Sequence, residues 1–210
     1  MLEFGKYYHI YNRANGSENL FVIDENYHFF LKKYKLYILP IADTFSYCLM
    51  PNHFHFFVRI KLIKEIIDFF ESKHDHGTTA FSKVLNFGKD EKADSLFLSK
   101  QFSNLFSSYT QAFNKQQSRT GSLFQKNFKA KEVGHLGYFQ HLIQYIHCNP
   151  VHHRFCDDYK DWVFSSFHAL VSNSETDLDR QTVISWFGNK KNLISSHNEK
   201  VSILNSLKLE

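Results

Sequence analysis

Two histidines separated by a single residue could hold a metal ion. His53 and His55 flank Phe54 in an apolar, aromatic segment that is typical of a β-strand. Because alternate residues of a strand point to the same side, both imidazoles are predicted to face one ligand. Ordinary surface or core histidines are the alternative. The same spacing at His74 and His76 falls in a segment without strand alternation, which favours solvent-exposed loop residues there.

A tyrosine and an asparagine one helical turn apart form a second candidate group. Tyr145 and Asn149 lie on a stripe beside the apolar face of a predicted helix. A phenol attacks phosphorus only when a cation neutralises the phosphate and favours the phenolate, which a histidine-bound metal could provide. Attack would store the bond as phosphotyrosine, from which a new 3′ hydroxyl could be joined without ATP. The alternative is a tyrosine at the core edge with its hydroxyl in water.

The elements that must position these residues are visible in the periodicity of the chain. Apolar alternation predicts strands, and spacing of three and four residues predicts helices. Pro51 and Asn52 favour a turn between two strands, and Pro150 is predicted to end the last helix of the domain. The predicted strands are 7–12, 45–50 and 54–60, the predicted helices are 24–37, 62–70, 98–115 and one that ends near 148, and residues 120–133 are predicted to be extended.

This order of elements predicts an α+β domain in which helices gather on one face of a mainly antiparallel sheet. The opposite face would be open to a ligand. Residues 1–172 are predicted to form the domain, and residues 173–210, which are more polar, a helical C-terminal appendage. Residues 74–94 show no clear period and are predicted to be a mobile insertion.

The charge distribution favours a polyanionic partner. The net charge is only +4, but residues 100–131 carry six basic side chains and no Asp or Glu. A solvated helix and loop surface is the alternative. Aromatic residues make up 17% of the chain, so some rings, including Phe124 and Phe128, could stack on unpaired bases rather than pack in the core. The predicted DNA-binding residues are His9, Arg13, Lys115, Arg119, Lys126, Lys129 and Lys131.

Cysteine content and hydropathy predict a cytoplasmic protein that does not span a membrane. The three cysteines lack the close pairing of a zinc or redox motif, which is typical of reduced thiols. No run approaches the ~20 apolar residues that cross a bilayer. The first residues also lack the apolar stretch of a signal peptide.

Five ordered motifs together resemble the REP-associated tyrosine transposases, which are single-tyrosine members of the HUH nuclease superfamily. The resemblance implies a ferredoxin-like fold and a Mg²⁺ or Mn²⁺ ion held by His53, His55 and Asn149. It also implies that Tyr145 cleaves single-stranded DNA beside a hairpin and leaves a 5′-phosphotyrosine. His147 stands where relatives often carry a second tyrosine, so one nucleophile is expected. The motifs are YHIYNR at 8–13, MPNHFH at 50–55, GSLFQ at 121–125, YIHCNPV at 145–151 and WVFSS at 162–166.

Two other functions are compatible with the same residues. Open antiparallel sheets with aromatic faces also bind single-stranded nucleic acid without cutting it. A metal hydrolase would use water as the nucleophile and leave Tyr145 as a bystander. The resemblance is compatible with either a monomer or a homodimer.

Overall fold

Four strands and seven α-helices make up the described part of the chain, which in this computed structural model comprises residues 1–72 and 87–206, with side chains as far as residue 200. The strands are β1 Tyr7–Arg13, β2 Ala42–Met50, β3 His53–Ile60 and β4 Lys129–Glu132. The helices are α1 Asp24–Tyr37, α2 Ile63–Ser72, α3 Glu91–Gln116, α4 Leu136–His152, α5 Phe167–Val171, α6 Arg180–Trp186 and α7 Lys190–Ser206, with a 3-10 turn at Tyr159–Asp161.

The strands form one antiparallel sheet in the order β2-β3-β1-β4. The strand β3 therefore lies between β1 and β2, as in a ferredoxin-like fold, and the predicted fold class is confirmed. The register places Arg13 opposite His53 and Tyr11 opposite His55. Because directly paired residues share a face, these four side chains lie on the same side of the sheet.

The two faces of the sheet carry separate apolar cores. Ile10, Phe54 and Phe56 belong to the core shared with α1 and α3. On the other face, Phe45 and Phe57 belong to the core that includes the buried residues of α4, α6 and α7. The first face matches the predicted arrangement. The second is only partly open, because α4 lies against β2 and β3 there.

The helix α4 passes through Pro150 instead of stopping before it. Pro150 forgoes one helical hydrogen bond, since it has no backbone N–H, but the next turn still closes when His153 N donates to Asn149 O at 2.9 Å. The chain turns away at Arg154, whose φ of 62° lies in the left-handed region. The prediction that proline ends this helix is therefore wrong, and Asn149 lies inside the helix.

The segment before α3 and the predicted extended stretch differ from expectation. His74 and His76, with most of the predicted insertion, lie outside the described residues. The last part of the predicted insertion is helical, because α3 begins at Glu91, seven residues before the predicted start. The Asp90 carboxylate caps this helix by accepting hydrogen bonds from Lys92 N and Ala93 N. Of the predicted extended stretch, only residues 129–132 form a strand.

The C-terminal helices pack on α4, so residues beyond 172 share a core with the sheet. Val183, Phe187 and Leu193 belong to the same apolar cluster as Ile143 and Ile146. The boundary at residue 172 stays a prediction. Within the described ranges, none of the helices has the length and apolar character needed to cross a bilayer.

Candidate metal and tyrosine site

His53 and His55 lie on the sheet face that α4 partly covers. Strand alternation turns both rings to this side, as predicted, and their centroids are 5.3 Å apart with the planes nearly perpendicular. Phe54 points to the opposite core, where it is 1% exposed. The apolar residues of β3 therefore fix the strand in its register, and the histidines between them face α4.

Each of the two rings already uses its Nδ1 atom in a hydrogen bond. The His53 Nδ1 lies 2.6 Å from the Oδ1 of Asn52, in the turn that precedes β3. The His55 Nδ1 lies 2.9 Å from the Nε2 of His9, on the neighbouring strand β1. The Nε2 atom of each ring is consequently the nitrogen that remains to bind an ion.

Burial keeps both candidate ligands neutral. The pKa of His53 falls to about 4, mainly because the ring is desolvated and also because the charges of His153 and Arg13 lie nearby. Desolvation likewise lowers the pKa of His55 well below its usual value, with smaller contributions from His9 and His53. Both rings are therefore neutral at pH 7, which is the form of histidine that binds a metal.

Asn149 is a buried amide beside His53. It is 0% exposed, and among the described residues neither its oxygen nor its nitrogen makes a hydrogen bond of regular geometry. Its contact with the His53 side chain favours the protonated ring and opposes the lowering of the His53 pKa. A buried polar group left unpaired costs about 1–3 kcal/mol, so a ligand that engaged this amide would relieve the cost.

These three side chains fit a weakly held divalent ion. Across residues 1–72 and 87–200, no three His, Cys, Asp or Glu side chains converge as a complete metal site. Two imidazoles and one amide oxygen would leave positions for water or a phosphate oxygen, as in an open catalytic site rather than a closed structural one. When bound, such an ion would polarise a phosphate oxygen and stabilise the charge on a leaving oxygen.

Tyr145 lies next to His55 and His9, whereas His53 and Asn149 do not line the cavity that it faces. Its side chain is 41% exposed, and its ring stands edge-on to His55 and His9 at centroid distances of 5.6 and 6.0 Å. The phenol is therefore accessible and is not part of the apolar core. It lines a cavity of about 520 Å³ with His9, Tyr11, His55, Lys131, Tyr138, His141, Leu142 and Lys200.

His147, two residues after Tyr145, points to the other side of the helix. It is 0% exposed, with Nε2 at 2.7 Å from Ser166 Oγ and Nδ1 at 2.8 Å from the Nε2 of His197. The Nδ1–H of His197 donates in turn to the carbonyl of Leu193. This relay joins α4 to α7, so position 147 has a structural role and supplies no second nucleophile.

The His147–His197 pair predicts a loss of stability in acid. Burial lowers the pKa of His197 to about 4, whereas the unfolded chain titrates near 6.5. Between these values the unfolded state binds a proton that the folded state does not, so stability falls as the pH decreases from 6.5 towards 4. At pH 5 this histidine alone should cost ~2 kcal/mol. Urea unfolding at pH 7.5 and pH 5 measures it.

A matched pair of variants isolates that contribution. His197→Gln should reduce the pH dependence of the unfolding free energy by ~2 kcal/mol over this interval, because glutamine does not titrate. His28→Gln removes an exposed histidine of α1 and should leave the dependence unchanged. Equal pH dependence in wild type and His197→Gln would contradict the assignment.

Basic side chains lie on the sheet face that carries the cavity. Lys129 and Lys131 pair with Tyr11 and His9 and so share the face of the cavity, which Lys131 lines. Arg13 lies opposite His53 and is exposed. These positions suit contacts to a phosphate backbone.

Three other predicted DNA-binding residues are placed differently. His9 is only 8% exposed, and burial with the nearby charge of Lys131 lowers its pKa to about 4, so it is a neutral, inward-facing ring. The guanidinium of Arg119 is paired with Glu18 at 2.7 Å and its charge is already compensated. Lys115 is exposed at the end of α3 and lines neither the cavity nor the adjacent groove.

A larger groove of about 1040 Å³ lies on the other side of β4, between α3 and residues 121–130. Its lining is mostly polar, with Ser103, Ser107 and Gln111 on α3 facing Gln125 and Asn127. The predicted DNA-binding residue Lys126 also lines this groove. Half-buried Phe106 and Phe128 form part of the lining, and Phe124, which is 6% exposed and belongs to the core, reaches it as well. The ring of Phe128 also packs on the core, so core packing is the main role of both predicted stacking residues.

Several residues that line the site were not predicted as functional. His153 caps α4 with its ring 4.8 Å from that of His53, and Lys200 reaches the cavity from α7. Tyr11 could have been found, since it alternates with His9 on β1. His141 could also have been found, since it lies one turn before Tyr145. His153 and Lys200 depend on the end of α4 and on tertiary packing, for which the sequence carries no local signal.

No protein-family model matches the sequence, and no curated protein matches it significantly. A solved structure of a REP-associated tyrosine transposase bound to a REP hairpin aligns with this chain at a TM-score of 0.55 and 16% sequence identity. The match covers 85% of this chain and 94% of that chain. At this identity the likeness shows the fold. The resemblance of the sequence motifs is therefore confirmed at that level: this chain has the fold of a REP-associated tyrosine transposase.

Proposed function

We propose that this protein is a metal-dependent DNA transposase or endonuclease that cleaves and rejoins single-stranded DNA near a hairpin. The main support is the position of Tyr145, which is accessible, lies edge-on to His55 and lines a cavity that also contains Lys131. A nucleophile, neutral imidazoles and a cationic side chain in one cavity are the groups that phosphodiester cleavage requires.

Tyr145 acts as the nucleophile in this proposal. Its phenolic oxygen loses a proton and forms a bond to phosphorus, while the bond from phosphorus to the 3′ oxygen breaks and that oxygen gains a proton. The DNA remains attached through a 5′-phosphotyrosine. Attack by a new 3′ hydroxyl reverses these bond changes and joins the strands. His53, His55 and Asn149 would hold the Mg²⁺ or Mn²⁺ ion, and Lys131 would offset phosphate charge.

The DNA partner is proposed from the charge distribution and from the structural neighbour, which was solved with a REP hairpin. Lys126 and Ala130 line the larger groove and Lys131 lines the tyrosine cavity, so a DNA strand that crosses the edge of β4 can reach both. Amide and hydroxyl groups in the groove can hydrogen-bond to unpaired bases. Lysines along the edge can follow the backbone.

Lys126 and Lys129 are expected to contribute to the salt dependence of hairpin binding. Lys126→Ala and Lys129→Ala should each weaken hairpin binding, whatever the sequence, and should reduce the slope of log K against log salt by about one unit per lost phosphate contact. Fluorescence anisotropy of labelled hairpin DNA at salt concentrations from roughly 50 to 300 mM measures this slope. Lys32→Ala, an exposed lysine on α1, is the matched control. An unchanged slope would remove the tested lysine from the DNA path.

Covalent capture tests the catalytic proposal. The wild-type protein, incubated with labelled hairpin DNA and Mn²⁺, is expected to form an adduct that resists denaturation, because the phosphotyrosine bond is covalent. Cleaved DNA without an adduct would indicate that water, and not Tyr145, is the nucleophile.

A noncatalytic DNA-binding protein is the second candidate. It is favoured by the fact that no three His, Cys, Asp or Glu side chains converge on a metal among the described residues. This candidate predicts hairpin binding with neither adduct nor cleavage at any Mn²⁺ concentration.

A further inference from the structure

We propose that His9 is a positioning residue: it holds His55 in the tautomer whose Nε2 atom carries no proton and can bind a divalent ion. The inference rests on the proposed function only in naming the ion. The tautomer itself is a property of the protein without metal. Sequence reasoning placed His9 in DNA contact, whereas its 8% exposure and its hydrogen bond to His55 indicate this different role.

The contact between the two rings is short and buried. The Nε2 of His9 lies 2.9 Å from the Nδ1 of His55, and the two ring planes are inclined by only 27° with centroids 5.0 Å apart, as an edge-to-edge hydrogen bond requires. His9 is 8% exposed and His55 6%, so water has little access to replace this bond. The contact forms because residues 9 and 55 lie on adjacent strands, one step diagonal to each other, on the same face.

One hydrogen lies between the two nitrogens, and its direction decides whether His55 can bind metal. If His55 donates from Nδ1, its Nε2 keeps a lone pair. If His9 donates instead, the neutral His55 ring carries its proton on Nε2, and that atom cannot coordinate. Metal-binding histidines usually donate their other N–H to an acceptor in this way. The Nε2 of His9 is the atom placed to select the binding tautomer, which it does when it accepts the hydrogen of His55 Nδ1.

The neighbouring ligand has the same arrangement with a different acceptor. The Nδ1 of His53 lies 2.6 Å from the amide oxygen of Asn52, which can only accept. His53 is therefore protonated on Nδ1 and keeps a lone pair on Nε2. Side chains from different parts of the chain, Asn52 and His9, thus engage the same Nδ1 atom of both histidines. A role for His9 in core packing alone would not require this match.

Imidazole nitrogen NMR of the metal-free protein tests the tautomer directly. In wild type, the His55 signals are expected to show protonation at Nδ1. In His9→Leu, His55 should shift towards the Nε2-protonated form that free histidine prefers, and Mn²⁺ affinity measured by electron paramagnetic resonance should fall about 10–100-fold. His9→Gln retains an acceptor oxygen and should restore much of both. Binding of hairpin DNA without metal should stay unchanged in all three proteins.

His141→Leu is the matched control, because His141 lines the same cavity on α4 and has no hydrogen bond to His55. It should leave the His55 tautomer unchanged. A wild-type His55 protonated at Nε2 would overturn the inference, even if the leucine variant failed to fold. The inference would also be overturned if His9→Leu lost Mn²⁺ affinity while the His55 tautomer stayed the same, because His9 would then be a direct ligand. If the adduct forms but His55 is protonated at Nε2, the proposed function stands and this inference is wrong. If His55 is protonated at Nδ1 but no adduct forms, this inference stands and the proposed function is wrong.

Discussion

Tyr145→Phe is expected to abolish the covalent adduct with hairpin DNA and to reduce strand cleavage by at least about a thousandfold, as the loss of a covalent nucleophile commonly does. The substitution removes one oxygen atom and retains the ring that stands edge-on to His55. Because the side chain is 41% exposed, the fold should be unaffected. The measurement is the fraction of labelled DNA that stays with the protein after denaturation.

The matched control is Tyr138→Phe, since Tyr138 lines the same cavity two turns earlier in α4. It should retain adduct formation within a few-fold, because it loses a hydroxyl that is not the nucleophile. Hairpin binding should be similar in both variants. An adduct that persists in Tyr145→Phe would exclude Tyr145 as the attacking residue, and loss of the adduct in Tyr138→Phe alone would transfer that role.

Local periodicity was sufficient to predict the candidate residues. The two-residue repeat of β3 places His53 and His55 on one face, and the helical repeat of α4 places Tyr145 and Asn149 one turn apart. Both predictions depend only on backbone geometry within a single element. The apolar residues between the histidines then decide which face is buried. This is why the sequence could indicate a site without any knowledge of the sheet order.

Interactions between distant elements could not be predicted in the same way. The hydrogen bond from His9 to His55 depends on the register of β1 with β3, and a shift of one residue would separate the two rings. Arg119 looked like a free cation in a basic segment, but Glu18 lies about a hundred positions earlier in the chain and neutralises it. Such pairs leave no periodic signal.

Pro150 illustrates a limit of local rules. Proline disfavours the interior of a helix because it lacks an N–H and crowds the preceding turn. In α4 the residues around it are buried against β2 and the C-terminal helices, and this packing holds the last turn in place. As a result, Asn149 stays in register with Tyr145 and next to His53.

His53→Ala is expected to separate catalysis from DNA binding. Loss of one ligand should remove several kcal/mol of metal-derived transition-state stabilisation, or about a thousandfold in cleavage rate. Hairpin affinity without metal should change by less than about threefold, because phosphate contacts supply most of it. The pKa of His53, near 4, makes the ring neutral at pH 7, so its removal does not alter the charge that the DNA meets.

Gel-based cleavage with Mn²⁺ and anisotropy without metal provide the two readouts. His28→Ala, an exposed histidine on α1, should affect neither. Parallel loss of binding and cleavage in His53→Ala would mean that this ring contacts DNA directly, and unchanged cleavage would exclude it as a ligand.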